Sequence, residues 1–102
     1  MIFKQFFDDV SCSYTYLLSS GKGREALIID PVIEKTDEYV SCLKQLNLKL
    51  IKVIDTHIHA DHISGMKELH KQTDCVNIMG EQSPSTVVNI KVKDNEKIKI
   101  KI

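Results

Sequence analysis

At 102 residues, the chain has the size of one small domain or of part of a larger one. Hydrophobic residues make up 42% of it, enough for a core, and 14 basic side chains balance 14 acidic ones. The zero net charge argues against attraction to nucleic acid or to an anionic membrane. No apolar run approaches the length that spans a bilayer.

The cysteines and the first ten residues indicate a cellular compartment. Cys12, Cys42 and Cys75 are odd in number, widely separated and without a C-x-x-C pair. This pattern is typical of reduced thiols rather than of a disulfide framework. Charged residues interrupt the first ten positions, unlike a secretory leader. We therefore expect a soluble cytoplasmic protein.

The N-terminal part of the chain predicts three β-strands. Residues 2–7 and 14–19 are rich in aromatic and β-branched side chains, which favour strands. A glycine-containing turn at 21–24 leads into the apolar run 25–30, so the second and third strands should form a hairpin. Pro31 ends the pairing of the third strand because it has no N–H to donate.

A helix is predicted after this strand. Thr36 is a suitable N-cap, and the helix should stop near Asn47. Four apolar residues recur at helical spacing in between: Tyr39, Val40, Leu43 and Leu46. A buried-type strand at 50–54, a short helix from about 64 to 73 and a short strand at 76–79 are predicted to follow.

The last part of the chain shows two alternating patterns. Apolar residues alternate with polar ones at 88–92 and again at 98–102, with a turn at 94–95 between them. The lysines of this region are interpreted as the solvated face of strands, not as a phosphate-binding stripe. The order β-β-α-β-loop-α-β indicates an α/β fold with a mixed sheet. The chain stops within the last predicted strand, which we therefore expect to lack a neighbour on one side.

The most informative segment is residues 56–62, Thr-His-Ile-His-Ala-Asp-His, directly after the predicted strand at 50–54. Neutral imidazole nitrogens and carboxylate oxygens are ligands of zinc and iron in proteins. A loop that follows a rigid strand can turn several side chains towards one point. We therefore predict that four side chains converge on a metal: His57, His59, Asp61 and His62.

Two residues outside this loop also carry predictions. Asp30 ends its strand and should lie at the same edge of the sheet as the loop, since ligand-bearing crevices form where strands terminate. The alternative interpretation is that Asp30 only forms the turn before Pro31. His70 stands alone in a polar helical stretch and is predicted to be a solvated surface residue.

The motif His-x-His-x-Asp-His after a strand resembles the signature of the metallo-β-lactamase superfamily, whose fold is an αββα sandwich with metal between two sheets. Within that superfamily the chain is most similar to the persulfide dioxygenase branch, which is related to glyoxalase II. Three segments carry this similarity: 13–18 (Ser-Tyr-Thr-Tyr-Leu-Leu), 24–32 (Arg-Glu-Ala to Ile-Asp-Pro-Val) and 56–65. Ile58 stands where glyoxalase II enzymes usually carry histidine. The resemblance implies that residues 1–102 form one truncated domain, the N-terminal half of such a sandwich.

The persulfide dioxygenase resemblance also implies a cofactor and a substrate. A single Fe(II) would oxidise glutathione persulfide with dioxygen to sulfite and glutathione. His57 matches the one iron ligand that the family draws from this loop, and His59, Asp61 and His62 would orient ligands around it. The family's second histidine ligand, in a Gly-His-Thr segment, and its carboxylate ligand lie beyond residue 102. The iron site is thus expected to be incomplete in this chain.

Two alternatives remain open. In a glyoxalase II-like thioester hydrolase, His57 and His59 would bind one Zn(II), and Asp61 and His62 a second. In the other alternative the chain is an inert half-domain without catalysis. Because the last predicted strand has one apolar face, we also expect a homo-oligomer or association with a separate C-terminal half.

Overall fold

The computed structural model describes residues 1–56, 65–73, 75–80 and 90–92. The first half contains β1 (Ile2–Asp8), β2 (Ser13–Ser19), β3 (Glu25–Ile29), a 3₁₀ helix (Ile33–Lys35) and α1 (Thr36–Gln45). The second half contains β4 (Lys49–Ile54), α2 (Met66–Thr73), β5 (Val76–Gly80) and β6 (Ile90–Val92). The strand predicted at 98–102 lies outside the described residues.

The strands form one mixed sheet in the order β1-β2-β3-β4-β5-β6, as predicted for the fold class. The first three strands are antiparallel, and β3 to β6 run parallel to one another. Ile29 pairs with Ile54, which pairs with Ile78. The carboxyl ends of β3 and β4 therefore meet at one edge of the sheet, hereafter the carboxyl edge.

The core lies between the helices and one face of the sheet. Leu17, Ile28 and Val53 are cross-strand partners in β2, β3 and β4, and all three are fully buried. Both helices add buried side chains to this cluster: Tyr39 and Leu43 from α1, and Met66 and Leu69 from α2. Burying an aliphatic side chain of this size contributes about 1.5–3 kcal/mol. In the described part of the chain, neither helix is long and apolar enough to cross a membrane.

The predicted N-cap at Thr36 is wrong. The 3₁₀ helix runs directly into α1, so Thr36 already has helical φ and ψ of −52° and −43°. Its N–H bonds to the Ile33 carbonyl, and its hydroxyl donates to the same oxygen at 2.7 Å. A capping residue needs an extended backbone and a side-chain oxygen that accepts from the helix, whereas the backbone of Thr36 is helical and its hydroxyl donates.

The surface position predicted for His70 is also wrong. Its side chain is half-buried, and Nδ1 lies 2.5 Å from the carbonyl oxygen of Cys75. The preceding residue, Leu69, is fully buried, so this turn of α2 packs against the sheet. His70 thus ties the end of α2 to the start of β5, a contact between segments that a helical pattern alone does not predict.

Candidate metal centre

The four predicted metal ligands, His57, His59, Asp61 and His62, lie outside the described residues, and their convergence stays a prediction. The structure does describe the residues that flank the segment 57–64, hereafter the histidine loop. Thr56 follows β4 at the carboxyl edge, and Gly65 directly precedes α2. The contacts of Thr56 and Gly65 fix the positions from which the histidine loop starts and to which it returns.

The start of the histidine loop is bonded to Asp30. One carboxylate oxygen, Oδ1, accepts the Thr56 N–H at 2.7 Å, and the other, Oδ2, accepts the Thr56 hydroxyl at 2.7 Å. Bonds to an ionised acceptor are shorter and stronger than bonds between neutral groups. The backbone N–H of the buried Asp55 also donates to the Ile78 carbonyl at 3.1 Å. The carboxylate of Asp30 therefore reaches the residue immediately before His57.

Asp30 has the backbone geometry that this position requires. Its φ of 56° is in the left-handed region, and its N–H donates to the Ile54 carbonyl at 2.8 Å. The chain turns sharply there, from β3 into the buried Pro31. Aspartate and asparagine enter this region more readily than other residues with a side chain. One residue type thus supplies both the turn and the carboxylate.

The end of the histidine loop is held by the two residues that follow Asp30. The Gly65 N–H donates to the Pro31 carbonyl at 2.9 Å. A Cβ atom at Gly65 would lie 3.2 Å from the Val32 carbonyl oxygen and 3.3 Å from the Pro31 Cβ. Only glycine allows this approach without a shift of the neighbouring backbone. Residues 30–32, hereafter the clamp segment, therefore contact both ends of the histidine loop.

Two buried hydroxyls hold the clamp segment from the helix side. Thr15 and Tyr39 are each 1% exposed. The Thr15 hydroxyl donates to the Asp30 carbonyl at 2.7 Å, and the Val32 N–H donates to the Tyr39 oxygen at 3.0 Å. The two hydroxyl oxygens are 3.0 Å apart. Because the Thr15 hydrogen is committed to Asp30, the Tyr39 hydroxyl donates to Thr15.

Tyr39 must be neutral to donate in this way, and its surroundings keep it so. Burial raises the pKa of Tyr39 above its ordinary value. The hydrogen bond that Tyr39 accepts from the Val32 N–H partly opposes this rise in pKa, while the negative charges of Glu38 and Asp8 add to it. Desolvation disfavours the phenolate, so the hydroxyl keeps its proton at neutral pH.

The sequence did not identify Thr15 and Tyr39 as parts of this arrangement. Thr15 lies on the inward face of β2, with Leu17 and Ser19, and all three are buried. A polar residue at an inward strand position is the signal that could have revealed it. Tyr39 belongs to the helical pattern predicted for α1, but its hydroxyl partners lie on other elements.

The donor chemistry of the histidine loop suits a metal. Three imidazoles and a carboxylate within six positions are the ligand types that Zn(II) and Fe(II) accept. Both flanking residues are bonded to the clamp segment. Within residues 1–56, 65–73, 75–80 and 90–92, no three histidine, cysteine, aspartate or glutamate side chains gather into a metal-binding group.

Comparison with known sequences gives a family match over most of the chain. Residues 9–83 match the sequence model of the metallo-beta-lactamase superfamily. The persulfide dioxygenase ETHE1 of Mus musculus is 46% identical over 65 residues, which are 64% of this chain and 26% of that protein. A hydroxyacylglutathione hydrolase of Vibrio cholerae is 32% identical over 95 residues, or 92% of this chain and 35% of that protein.

Solved structures agree with the predicted fold. The crystal structure of ETHE1 from Myxococcus xanthus matches 99% of this chain with a TM-score of 0.91 and 36% identity. A metallo-beta-lactamase from Staphylococcus aureus matches 97% with a TM-score of 0.81 and 29% identity. The chain covers 44% and 31% of these two proteins, respectively. The predicted metallo-β-lactamase fold is thus confirmed. The chain spans less than half the length of each of these two proteins, in agreement with the prediction that it matches only part of the fold.

Proposed function

Because the chain belongs to the metallo-beta-lactamase superfamily, we propose that its histidine loop contributes metal ligands to a persulfide dioxygenase centre. The proposed reaction converts a glutathione persulfide, dioxygen and water to glutathione, sulfite and two protons. The outer sulfur atom loses four electrons and dioxygen accepts them. The observation that best supports this proposal is the pair of hydrogen bonds that Thr56 donates to the two carboxylate oxygens of Asp30, directly before His57.

Each of the four predicted ligands has a proposed task. His57 binds the iron, and His59, Asp61 and His62 orient the ligands and the substrate around it. Asp30 holds the start of the loop. When bound, Fe(II) supplies electron transfer and open coordination positions. The contribution of this chain is to place imidazole nitrogens at the carboxyl edge of a packed sheet.

Residues outside this chain are proposed to complete the ligand set. The matched region is about a quarter of the length of the curated persulfide dioxygenases, 26% in the mouse protein. We propose that a second histidine and a carboxylate come from the rest of the fold, on the same or a separate polypeptide. Residues 1–102 alone are then expected to lose metal to a mild chelator, and catalysis would be absent without the remaining ligands.

A thioester hydrolase is the second candidate. Its support is the match of a hydroxyacylglutathione hydrolase to 92% of this chain. Zinc would then occupy the site, with His57 and His59 on one ion and Asp61 and His62 on the other. Ile58, where glyoxalase II enzymes usually carry histidine, favours the dioxygenase.

Metal and product analysis of the chain, assembled with a polypeptide that supplies the rest of the fold, tests the proposal. After anaerobic loading with Fe(II) or Zn(II) and removal of weakly held ions, metal content is measured beside oxygen uptake with glutathione persulfide and hydrolysis of a glutathione thioester. We expect one Fe(II) to be retained per site and dioxygen to be consumed when glutathione persulfide is added. Zinc with thioester hydrolysis would favour the second candidate, and no retained metal would refute both.

The matched variants are His57→Ala and His70→Ala. The first should abolish metal binding. The second should retain it, since His70 instead bonds to the Cys75 carbonyl. Because that bond links α2 to β5, unfolding of both variants is measured in parallel, so that a loss of metal is not confused with a loss of fold.

Compartment and assembly are part of the same proposal. All three cysteines are free thiols, which supports a reducing compartment such as the cytoplasm. We propose that the chain assembles with further copies or with a polypeptide that carries the rest of the fold. Sedimentation of the chain alone and with such a partner measures this assembly, and a strictly monomeric, cooperatively folding chain would contradict it.

A further inference from the structure

We propose that Thr15 and Tyr39 are positioning residues for the metal: their hydroxyls set the geometry of the histidine loop through the clamp segment. This inference rests on the proposed function, since it assumes that the loop binds metal. Neither hydroxyl bonds to Thr56 or Gly65 directly. Their effect passes through residues 30–32, which contact both ends of the loop.

The first step runs from Thr15 to the start of the loop. The Thr15 hydroxyl bonds to the Asp30 carbonyl at 2.7 Å, and the Asp30 side chain bonds to Thr56 at 2.7 Å through each oxygen. The φ of Asp30, 56°, lies in the left-handed region, which aspartate enters more readily than most residues but which still costs energy for a residue with a Cβ. Such a conformation persists only where surrounding contacts maintain it. Loss of the Thr15 bond therefore allows Asp30 to rotate and its carboxylate to leave Thr56.

The second step runs from Tyr39 to the end of the loop. The Tyr39 oxygen accepts the Val32 N–H at 3.0 Å and thereby fixes the third residue of the clamp segment. Gly65 lies close to the same residue: a Cβ atom added at Gly65 would be 3.2 Å from the Val32 carbonyl oxygen. A shift of Val32 would change the space available to Gly65. The two hydroxyls bond to each other, so they act as one unit.

A purely structural role for this buried pair is the competing explanation, and α1 offers a matched control. Thr36 is 4% exposed and Thr15 is 1% exposed. Both hydroxyls donate to a backbone carbonyl at 2.7 Å, from Thr36 to Ile33 and from Thr15 to Asp30. The variants Thr15→Val and Thr36→Val remove the same group from equally buried sites. Of these two acceptors, only Asp30 belongs to the clamp segment.

Two measurements separate the explanations. The first is amide hydrogen exchange at Thr56 and Gly65 in the metal-free protein. The second is the dissociation constant of Fe(II) or Zn(II), measured by competition with a chelator. We expect Thr15→Val to accelerate amide exchange at Thr56 about tenfold more than Thr36→Val does. We also expect Thr15→Val to raise the dissociation constant of the metal about tenfold, which is the smaller of the effects typical for residues that support metal ligands without binding the metal. Thr15→Ser, which keeps the hydroxyl, should restore both values.

Each outcome decides the inference. Equal effects of Thr15→Val and Thr36→Val on exchange and on metal affinity would overturn it and leave the pair a structural element. If the wild-type chain holds no metal even when assembled with a polypeptide that carries the rest of the fold, the proposed function fails, while exchange at Thr56 still reports whether the pair positions the loop. If Thr15→Val does not fold, Tyr39→Phe is compared with Thr36→Val by the same two measurements.

Discussion

Replacing Asp30 by asparagine, glycine or alanine separates the contribution of its side chain from that of its backbone. Asparagine can keep both bonds to Thr56, because its Oδ1 accepts the N–H while its Nδ2 donates to the hydroxyl, which rotates to accept. Asparagine and glycine both tolerate the φ of 56°. Alanine loses the bonds and also lacks the polar side chain that lets aspartate and asparagine enter this backbone region more readily.

The structure sets the expected magnitudes. Bonds to a charged group contribute about 1.5–3 kcal/mol each. Thr56 is exposed, so water replaces part of what is lost and the lower value applies. We therefore expect a loss of unfolding free energy of about 1 kcal/mol for Asp30→Asn and about 3 kcal/mol for Asp30→Gly. Alanine lacks the short polar side chain that eases the left-handed conformation for aspartate, which adds about 1 kcal/mol and brings Asp30→Ala to about 4 kcal/mol.

Urea denaturation of the metal-free protein, followed by far-ultraviolet circular dichroism, measures these differences. The control is Asp9→Ala, which removes an exposed carboxylate from the β1–β2 turn and should change the free energy by less than about 0.5 kcal/mol. Equal midpoints for the asparagine and alanine variants would refute the idea that the Asp30 side chain holds Thr56. Equal midpoints for glycine and alanine would show that the left-handed backbone is not a significant cost.

Three further predictions concern the clamp and the core. Gly65→Ala should lower the free energy of unfolding by about 1–3 kcal/mol in the same urea assay, because its Cβ would lie 3.2 Å from the Val32 carbonyl oxygen; an unchanged midpoint would contradict the close approach. Leu17→Ala should cost about 2–5 kcal/mol, since the side chain is fully buried, and a loss below 1 kcal/mol would place Leu17 outside the core. Burial raises the pKa of Tyr39 above its ordinary value of 10.0. The stability that the neutral Tyr39 side chain contributes is therefore complete below about pH 10 and is lost as the pH rises through the pKa of the folded state. Tyr39→Phe should therefore remove part of the alkaline loss of stability, and parallel pH profiles for variant and wild type would contradict this.

Local pattern was sufficient for the elements of the sheet and for the chemistry of the loop. The aromatic and β-branched content of β2 and the helical spacing of Tyr39 and Leu43 each depend on neighbours within one element, and the strand and the helix both form as predicted. The donor types of the histidine loop are likewise a property of consecutive residues. Those features could be predicted from the sequence because they require no knowledge of which segments meet.

Only the tertiary structure decided which distant residues hold the loop. Asp30 and Thr56 are 26 positions apart, and Thr15 and Asp30 are 15 apart. His70 and Thr36 were misjudged for the same reason: His70 bonds to a residue beyond its own helix, and a 3₁₀ turn already satisfies the N–H of Thr36. The sequence by itself determined the donor chemistry and most of the strand and helix pattern, and it left open whether Asp30 lies beside the loop or only forms a turn; the structure shows both. The contacts of the clamp segment with Thr56 and Gly65 are hydrogen bonds between separate elements. They form only after the parallel pairing of β3 with β4 brings the carboxyl ends of these strands together.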